Sequence, residues 1–268
     1  MRQGSFVWYE LMTDAPDEVQ AFYEGVLGWT IDGAAPTSDE TPIDYRHIRR
    51  ADGVDQGGVL VLTADMVEGG ATPGWVPYLL VDDVDATVAA IVGDGGESLM
   101  PTASIPEGTF AMVTDPGGAP FYLMTPGARD DTSAPPSPVF AMNVVGAAAW
   151  NELVTDDVDG ALGFYSRHFG FSDSGTMPMG PMGNYVFLAH ATQGPVGAMM
   201  PRLSPDMPGG WRIYFRVADI HAAAQAVTAL GGTCLGEISP VPGGGLIVHV
   251  LDPAGAFLGL VGMPASAD

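Results

Sequence analysis

An internal repeat constrains the fold of this chain more than any other feature of its sequence. Residues 8–29 align with residues 150–171 at an offset of 142 positions. Nine of the 22 aligned pairs are identical, where composition alone predicts about one or two. Further matches follow in the same order, at an offset of 136 from Trp75 onward and at an offset of 137 from Asp115 onward. Because chance does not preserve order, the sequence indicates a duplicated unit.

Each half contains a smaller pattern, in which a short apolar strand, an aspartate and an amphipathic helix follow one another. In the first of these helices the apolar residues recur at the spacing of one helical face, namely Val19, Phe22, Tyr23, Val26 and Leu27. The pattern occurs four times, and β-type runs follow each helix. We therefore predict an α+β fold in which four such units pair into cupped sheets backed by helices.

Local signals predict where the helices and hairpins begin and end. Thr13 and Asp14 are expected to supply capping oxygens to the first helix, and Pro16 suits its first turn. Gly28 and Gly170 stand where a helix is expected to end in a left-handed residue. Asp-Pro dipeptides between paired apolar runs in both halves predict hairpin turns.

The charge balance excludes several classes of function. The chain has 9 basic and 32 acidic residues, a formal net charge of −23, and no lysine. Such a polyanion repels nucleic acid and anionic membrane surfaces, and no apolar run is long enough to span a bilayer. A single cysteine, Cys234, cannot form an internal disulfide, so we expect a cytoplasmic protein. We also expect a small-molecule partner, and either a monomer or a homodimer.

The repeated motifs resemble those of the vicinal oxygen chelate superfamily, which includes glyoxalase I, extradiol dioxygenases, and fosfomycin and bleomycin resistance proteins. The resemblance lies in the Phe-Tyr-x4-Gly segments, the strands that end in aspartate and the Asp-Pro-x-Gly hairpins. The Trp-x-Glu-Leu-x-Thr-Asp motif at residues 8–14 and 150–156 resembles a tandem subgroup described as glyoxalase-like or hydroxylase-like. This resemblance implies four βαβββ modules that form two cupped, helix-backed half-barrel domains. We expect these domains over residues 1–126 and 139–268, joined by a proline-rich linker over 127–138.

The resemblance also implies where a metal ion would be held. Metalloenzymes of the family bind a divalent ion in the cup through His and Glu side chains from three or four strands. Transferred residue by residue, the ligand positions fall at Trp8, Val76, Tyr122, Trp150, Arg212 and Gly259. None of these is a usual ligand for such an ion. We therefore predict no metal and no other cofactor, with an unconventional site that uses His249 and Glu152 as the alternative.

Strand alternation predicts what the cups contain instead. Trp8 and Glu10 share one face of their strand, as do Trp150 and Glu152. The predicted ligand-binding residues of both cups are Trp8, Trp75, Tyr78, Tyr122, Trp150, Arg212, Tyr214 and His249. Glu10 and Glu152 are candidate catalytic bases, since a carboxylate in an apolar strand is seldom buried without a partner. A structural role for them, such as pairing with an arginine, is the competing interpretation, as core packing is for the tryptophans.

Two hypotheses for function follow. In the first, the protein binds a small, largely apolar or ketonic molecule in its cups without the usual metal site of the family. In the second, it is a lyase, isomerase or oxygenase that uses Glu10 or Glu152 as a general base, or a metal held by unconventional ligands. A third, weaker interpretation is a scaffold protein whose cups are filled by its own side chains.

Overall fold

The computed structural model describes residues 2–34, 43–127, 138–242 and 244–264. Their strands form two mixed nine-stranded sheets, and each sheet takes all its strands from one half of the chain. This confirms the predicted α+β class and the cupped, duplicated architecture. The predicted linker, 127–138, lies outside the described residues except for its two ends.

The first half contains two strand–helix–strand modules. The first module comprises β1 (Phe6–Thr13), α1 (Pro16–Leu27), β2 (Thr30–Ile31), β3 (Tyr45–Arg49) and β4 (Asp55–Val61), and a short helix α2 (Ala64–Glu68) follows. The second comprises β5 (Gly74–Leu80), α3 (Val84–Gly93), β6 (Glu97–Ser98), β7 (Ala103–Ile105), β8 (Gly108–Thr114) and β9 (Pro120–Pro126). The strand order is β2-β3-β4-β1-β5-β9-β8-β6, with β7 paired to β8.

The second half repeats this arrangement. Its first module comprises β10 (Ala148–Thr155), α4 (Val158–Phe169), β11 (Ser172–Pro178), a 3₁₀ turn at Gly180–Met182, β12 (Asn184–His190) and β13 (Gly194–Pro201). Its second comprises β14 (Gly210–Asp219), α5 (Ile220–Ala229), β15 (Thr233–Cys234), β16 (Ser239–Pro240), β17 (Leu246–Leu251) and β18 (Phe257–Met263). The strand order is β11-β12-β13-β10-β14-β18-β17-β15, with β16 paired to β17.

Helix α1 forms where the apolar periodicity predicts it. All five residues of the predicted apolar face are buried. The helix ends at Gly28, whose φ of 68° is left-handed and whose N–H donates to the carbonyl of Glu24. Gly170 ends α4 in the same way, with a φ of 69°. Because glycine carries no Cβ, it adopts this conformation with little strain, which confirms its predicted role.

The predicted cap of α1 is wrong. The N-cap residue is Ala15, which has no side-chain oxygen, and the Thr13 hydroxyl instead accepts the N–H of Ala15 at 3.1 Å. The helix starts at Pro16, so Thr13 and Asp14 lie one or two residues too early to cap it. In the second half the side chain of Asp157 caps α4 by accepting the N–H of Gly160 at 2.9 Å.

None of the helices in the described ranges is long and apolar enough to cross a membrane. The longest of them, α1 and α4, have 12 residues each.

Contacts divide the chain into two compact units, each of which combines segments of both halves. The first unit comprises Met1–Val7, Val76–Pro136 and Trp150–Arg212, and the second comprises Trp8–Trp75, Ser137–Ala149 and Ile213–Asp268. Each sheet consists of strands from one half of the chain, whereas each unit combines segments from both halves. The division into domains over residues 1–126 and 139–268, which the sequence repeat suggested, stays a prediction.

A buried hydrogen-bonded triad holds the second unit together. The hydroxyl of Tyr23, on α1, donates to Asp252 Oδ2 at 2.9 Å and accepts the indole N–H of Trp75 at 2.9 Å. Asp252 belongs to the predicted Asp-Pro hairpin turn, and its Oδ1 accepts the N–H groups of Ala254 and Ala256. A helix of the first half is thereby bonded to a turn of the second half.

The first unit contains the equivalent triad, in which the helix belongs to the second half and the hairpin turn to the first. Tyr165, on α4, donates to Asp115 Oδ2 at 3.1 Å and accepts the indole N–H of Trp211 at 2.9 Å. Burial raises the pKa of Asp115, and the hydrogen bonds from the Ala119 N–H and from Tyr165 oppose that rise. Burial, followed by the charge of Asp115, raises the pKa of Tyr165 well above its usual value. The phenol therefore stays protonated and acts as the donor.

We expect Tyr165→Phe to destabilise the protein by about 1–3 kcal/mol, because it leaves the buried Trp211 N–H and the Asp115 carboxylate without their shared partner. Denaturant unfolding of Tyr165→Phe, Asp115→Asn and the double variant measures this effect. The double variant should be less destabilised than the sum of the single variants, since Tyr165→Phe removes and Asp115→Asn weakens the same hydrogen bond. Strict additivity would contradict the proposed coupling.

A second prediction concerns His190, which is 4% exposed. Its Nε2 bonds the carbonyl of Gln3 at 2.9 Å, and burial lowers its pKa. The unfolded chain therefore takes up a proton first as the pH falls below about 6.5, so stability from this group decreases until the pH passes the folded-state pKa. His190→Gln should reduce the difference in unfolding free energy between pH 7.5 and pH 5.5. An unchanged difference would contradict the assignment.

Candidate functional site

Four side chains of the second half form a hydrogen-bonded and charged group, which we call the Glu152 cluster. It consists of Trp150 and Glu152 on β10, Tyr185 on β12 and Arg212 on β14. The indole N–H of Trp150 donates to the Tyr185 hydroxyl at 2.9 Å, and that hydroxyl donates to Glu152 Oε2 at 2.9 Å. Arg212 Nη1 lies 3.9 Å from Glu152 Oε1, as an ion pair. The predicted Trp150–Glu152 face therefore exists and carries Arg212 beside it.

The electrostatics of the Glu152 cluster keep the Tyr185 phenol neutral. The side chains of Glu152 and Arg212 are 7% and 12% exposed, so their charges are largely shielded from water. Burial, followed by the negative charge of Glu152, raises the pKa of Tyr185, which keeps its proton and donates it in the hydrogen bond. Arg212 Nη2 also donates to the carbonyl of Pro208 at 3.3 Å. These contacts hold the guanidinium in one place.

The first half contains a related group on β1 and β3. The indole N–H of Trp8 donates to the Tyr45 hydroxyl at 2.8 Å, and the ring of His47 lies 5.6 Å from that of Tyr45. Glu10, two residues after Trp8, is 2% exposed and lies opposite Gly58 in the register of β1 and β4. A Cβ atom at Gly58 would overlap the Tyr45 ring, so only glycine allows this placement of the tyrosine.

The other predicted residues lie in the second module of each half and form two aromatic pairs. Tyr78 and Tyr122 are register partners on β5 and β9, and their rings stack with centroids 4.2 Å apart. In the second half the Tyr214 hydroxyl lies 2.9 Å from Nε2 of His249. The Tyr214 ring also fills the space that a side chain at Gly259 would need. All four predicted residues thus make aromatic or hydrogen-bonding contacts within their own unit.

Trp75 is placed differently from the other predicted ligand-binding residues. It is 5% exposed and belongs to the buried triad with Tyr23. Its ring also packs against Phe215 at 4.8 Å and Trp29 at 5.8 Å. The structure therefore gives Trp75 a packing role, and ligand binding by this residue stays a prediction.

The sequence analysis did not identify Tyr45 and Tyr185, although both bond a predicted tryptophan. A signal for them exists, since they are the same residue type at an offset of 140, on the middle strands of the two halves. Strand periodicity shows which face a residue occupies, but not which residue of a neighbouring strand it meets.

The residues present do not fit the divalent ion that the family resemblance implies. The six transferred positions carry indole, aliphatic, phenol or guanidinium groups, or no side chain. In the part of the chain that the structure describes, no three His, Cys, Asp or Glu side chains are grouped so that they could hold a metal. Nε2 of His249, the proposed unconventional ligand, lies 2.9 Å from the hydroxyl of Tyr214.

Two surface depressions lie outside these groups. One, of about 570 Å³, runs along α5 and includes His221 and Gln225 in its lining. The other, of about 270 Å³, lies at the start of α3 and includes Asp83 and Arg167. No residue of the Glu152 cluster lines either of them.

Sequence comparison relates the whole chain to known proteins. The family model for the glyoxalase/bleomycin resistance protein/dioxygenase superfamily matches residues 5–123 and 146–260. CFP32 of Mycobacterium tuberculosis, whose name assigns it provisionally to the glyoxylases, is 31% identical over 264 residues, covering 97% of this chain and 95% of that protein. The anthracycline biosynthesis protein DnrV of Streptomyces peucetius is 28% identical over 296 residues, covering 98% and 96%.

Solved structures show the same fold at low sequence identity. A Mn(II)-bound glyoxalase from Novosphingobium aromaticivorans superposes with a TM-score of 0.62 at 16% identity, covering 97% of this chain and 82% of that one. A 2,2′,3-trihydroxybiphenyl 1,2-dioxygenase from Sphingomonas wittichii gives 0.64 at 14% identity, covering 97% and 90%. With two family matches in tandem and a full-length relative above 30% identity, the chain belongs to the glyoxalase/bleomycin resistance protein/dioxygenase superfamily.

Proposed function

We propose that this protein binds a small, largely apolar or ketonic molecule at the Glu152 cluster, without the divalent ion of its metalloenzyme relatives. The observation that carries the proposal is the Trp150–Tyr185–Glu152 chain of hydrogen bonds with Arg212 beside it. An aromatic surface with a few fixed polar groups is the usual composition of a small-molecule site. Two positions where the family resemblance implies metal ligands carry Trp150 and Arg212, which are not usual ligands for such an ion.

The relatives support a role in small-molecule chemistry. DnrV is named for anthracycline biosynthesis, and this chain aligns with 96% of its length. The name of CFP32 assigns it provisionally to the glyoxylases, and the alignment covers 95% of it. Relatives that align over nearly their whole length are thus named for small-molecule chemistry, one of them provisionally.

An enzymatic alternative rests on the buried carboxylates Glu152 and Glu10. Glu152 accepts the hydrogen bond from Tyr185 and lies beside Arg212, so a carboxylate, a common general base in enzymes, is held in a fixed position. A lyase, isomerase or oxygenase could use such a base. Exchange of the α-hydrogens of the aromatic ketone α-tetralone in D₂O, abolished in Glu152→Gln while affinity is retained, would favour this alternative over simple binding.

Metal analysis tests the proposed independence from a divalent ion. We expect purified protein to contain far less than one equivalent of Mn, Fe, Ni or Zn. We also expect its affinity for α-tetralone, measured by isothermal titration calorimetry, to be unchanged by EDTA. A stoichiometric ion, or a loss of binding that added metal reverses, would contradict the metal-free proposal.

A pair of matched variants tests the location of the site. Trp150→Ala removes the aromatic surface of the Glu152 cluster and should weaken α-tetralone binding by about tenfold, as expected for the loss of a large aromatic contact. Trp8→Ala is the equivalent change in the first half and should leave the affinity within about twofold. If Trp8→Ala weakens binding while Trp150→Ala does not, the site lies in the first half.

A further inference from the structure

We infer that residues 2–5, which lead into β1, are held by a clasp that opens in acid, because the neutral ring of His190 closes it. We call residues 2–5 and His190 the first clasp. The duplication provides a second clasp, in which Arg50 holds residues 138–147 and which acid should leave closed. The inference concerns a conformational change and does not depend on the proposed function.

Backbone hydrogen bonds place the segment of the first clasp against the end of β5. The N–H of Gly4 donates to the carbonyl of Leu80 at 2.7 Å, and the N–H of Leu80 donates to the carbonyl of Ser5 at 2.9 Å. Gly4 has a φ of 85°, and a Cβ atom there would overlap the carbonyl of Phe169 at the end of α4. The segment therefore follows a path that requires glycine.

The ring of His190, the last residue of β12, bonds this segment from the other half of the chain. Its Nε2 lies 2.9 Å from the carbonyl oxygen of Gln3. Because a carbonyl only accepts hydrogen bonds, Nε2 carries the proton of the neutral ring, and Nδ1 accepts the Thr192 hydroxyl at 3.2 Å. A second proton would therefore enter at Nδ1, where it meets a hydroxyl group and not a carboxylate.

The closed clasp disfavours the charged form of His190. Burial lowers the pKa of the ring, the hydrogen bond with Gln3 opposes that effect, and the positive charge of Arg2 adds to it. Release of residues 2–5 removes both the cover and the charge of Arg2, so the open clasp should restore a pKa of about 6.5. As the pH falls below that value the open form takes up a proton first. Opening therefore becomes more favourable until the pH passes the pKa of the closed form.

His168 is a second titratable group beside the first clasp, since its carbonyl accepts the side-chain N–H of Gln3 at 2.9 Å. Its Nε2 lies 3.0 Å from Asp94 Oδ2, so a proton on His168 would strengthen an ion pair and would not release the segment. The ionisable side chains on the held segment, at the end of α4 with its ion-pair partner, and on β11 are Arg2, Arg167, His168, Asp94 and Asp173. Of these, Arg2 acts on the pKa of His190.

The second clasp repeats the backbone arrangement at the offsets of the repeat. The N–H of Gly146, which has a φ of 81°, donates to the carbonyl of Arg216 at 2.8 Å. The N–H of Arg216 in turn donates to the carbonyl of Ala147 at 2.9 Å. The two lead-in segments are thus held in the same way by their own backbones, and the two clasps differ in the side chain that closes them.

Arg50 occupies the position of His190 in the second clasp, at an offset of 140. Its Nη1 donates to the carbonyl of Pro138 at 3.0 Å, and its Nη2 lies 2.7 Å from Asp52 Oδ2. Asp52 matches Thr192 at the same offset, so the cation here meets a carboxylate where His190 meets a hydroxyl. The hydrogen bond from Arg50 lowers the pKa of Asp52, so this pair stays charged in mild acid.

Amide hydrogen exchange at pH 7.5 and pH 5.5, followed by mass spectrometry and corrected for the intrinsic effect of pH on exchange, tests the inference. In the wild-type protein the opening constant of residues 2–5 should be about tenfold larger at pH 5.5, as expected when one group titrates near pH 6.5 in the open form alone. The opening constant of residues 138–147 should change by less than about twofold, because the second clasp takes up no proton in this range.

Three variants assign the effect to His190. His190→Gln keeps a donor for the carbonyl of Gln3 but does not titrate, so the protection of residues 2–5 should become independent of pH. Thr192→Asp places a carboxylate beside Nδ1, as in the second clasp, and should reduce the tenfold change to about twofold or less. His168→Gln is the matched control and should keep the tenfold change.

The outcomes that would overturn the inference are distinct from those of general unfolding. Wild-type protection that does not change with pH, or a change that persists in His190→Gln, would overturn it. So would an equal loss of protection at both clasps, which indicates opening of the whole protein, or a change that His168→Gln removes. Thr192 is exposed, so Thr192→Asp provides the test if His190→Gln does not fold by circular dichroism.

Discussion

The structure depends on a tyrosine hydroxyl that is buried between an indole N–H and an aspartate. Each unit contains one such triad, Trp75–Tyr23–Asp252 or Trp211–Tyr165–Asp115. A buried carboxylate is unfavourable unless its oxygens accept hydrogen bonds, and here backbone amides of the hairpin turn and the phenol supply them. Because the tyrosine and the aspartate come from different halves, the bond joins a helix of one repeat to a turn of the other. This explains why the helix tyrosine and the Asp-Pro hairpin turn, which are distant in sequence, both occur in each half.

Features that depend on nearby residues were predictable from the sequence. The buried face of α1, the left-handed Gly28 and Gly170 and the Asp-Pro hairpin turns follow from local spacing and backbone preference. The capping prediction failed for a local reason as well, since the helix starts at Pro16 and its cap is Ala15. The duplication itself was visible because identical residues recur in the same order.

Features that depend on pairing between distant elements were not predictable. Alternation along β10 places Trp150 and Glu152 on one face, but nothing in that strand indicates that Tyr185, two strands away in the sheet, bonds both. The same limit applies to Trp75, whose strand pattern allows a cup position while its indole lies in the core triad. The division into units that mix the halves likewise results from packing between modules, which a linear repeat does not reveal.

The packing of Tyr214 against Gly259 restricts which side chains this strand can carry. The ring of Tyr214 occupies the volume above Gly259, so a carboxylate introduced at residue 259 has no room until the tyrosine is also replaced by a smaller residue. Each change alone is unfavourable, one through steric overlap and the other through an unfilled void. A carboxylate ligand at residue 259 would therefore require two substitutions together, so no single mutation introduces it.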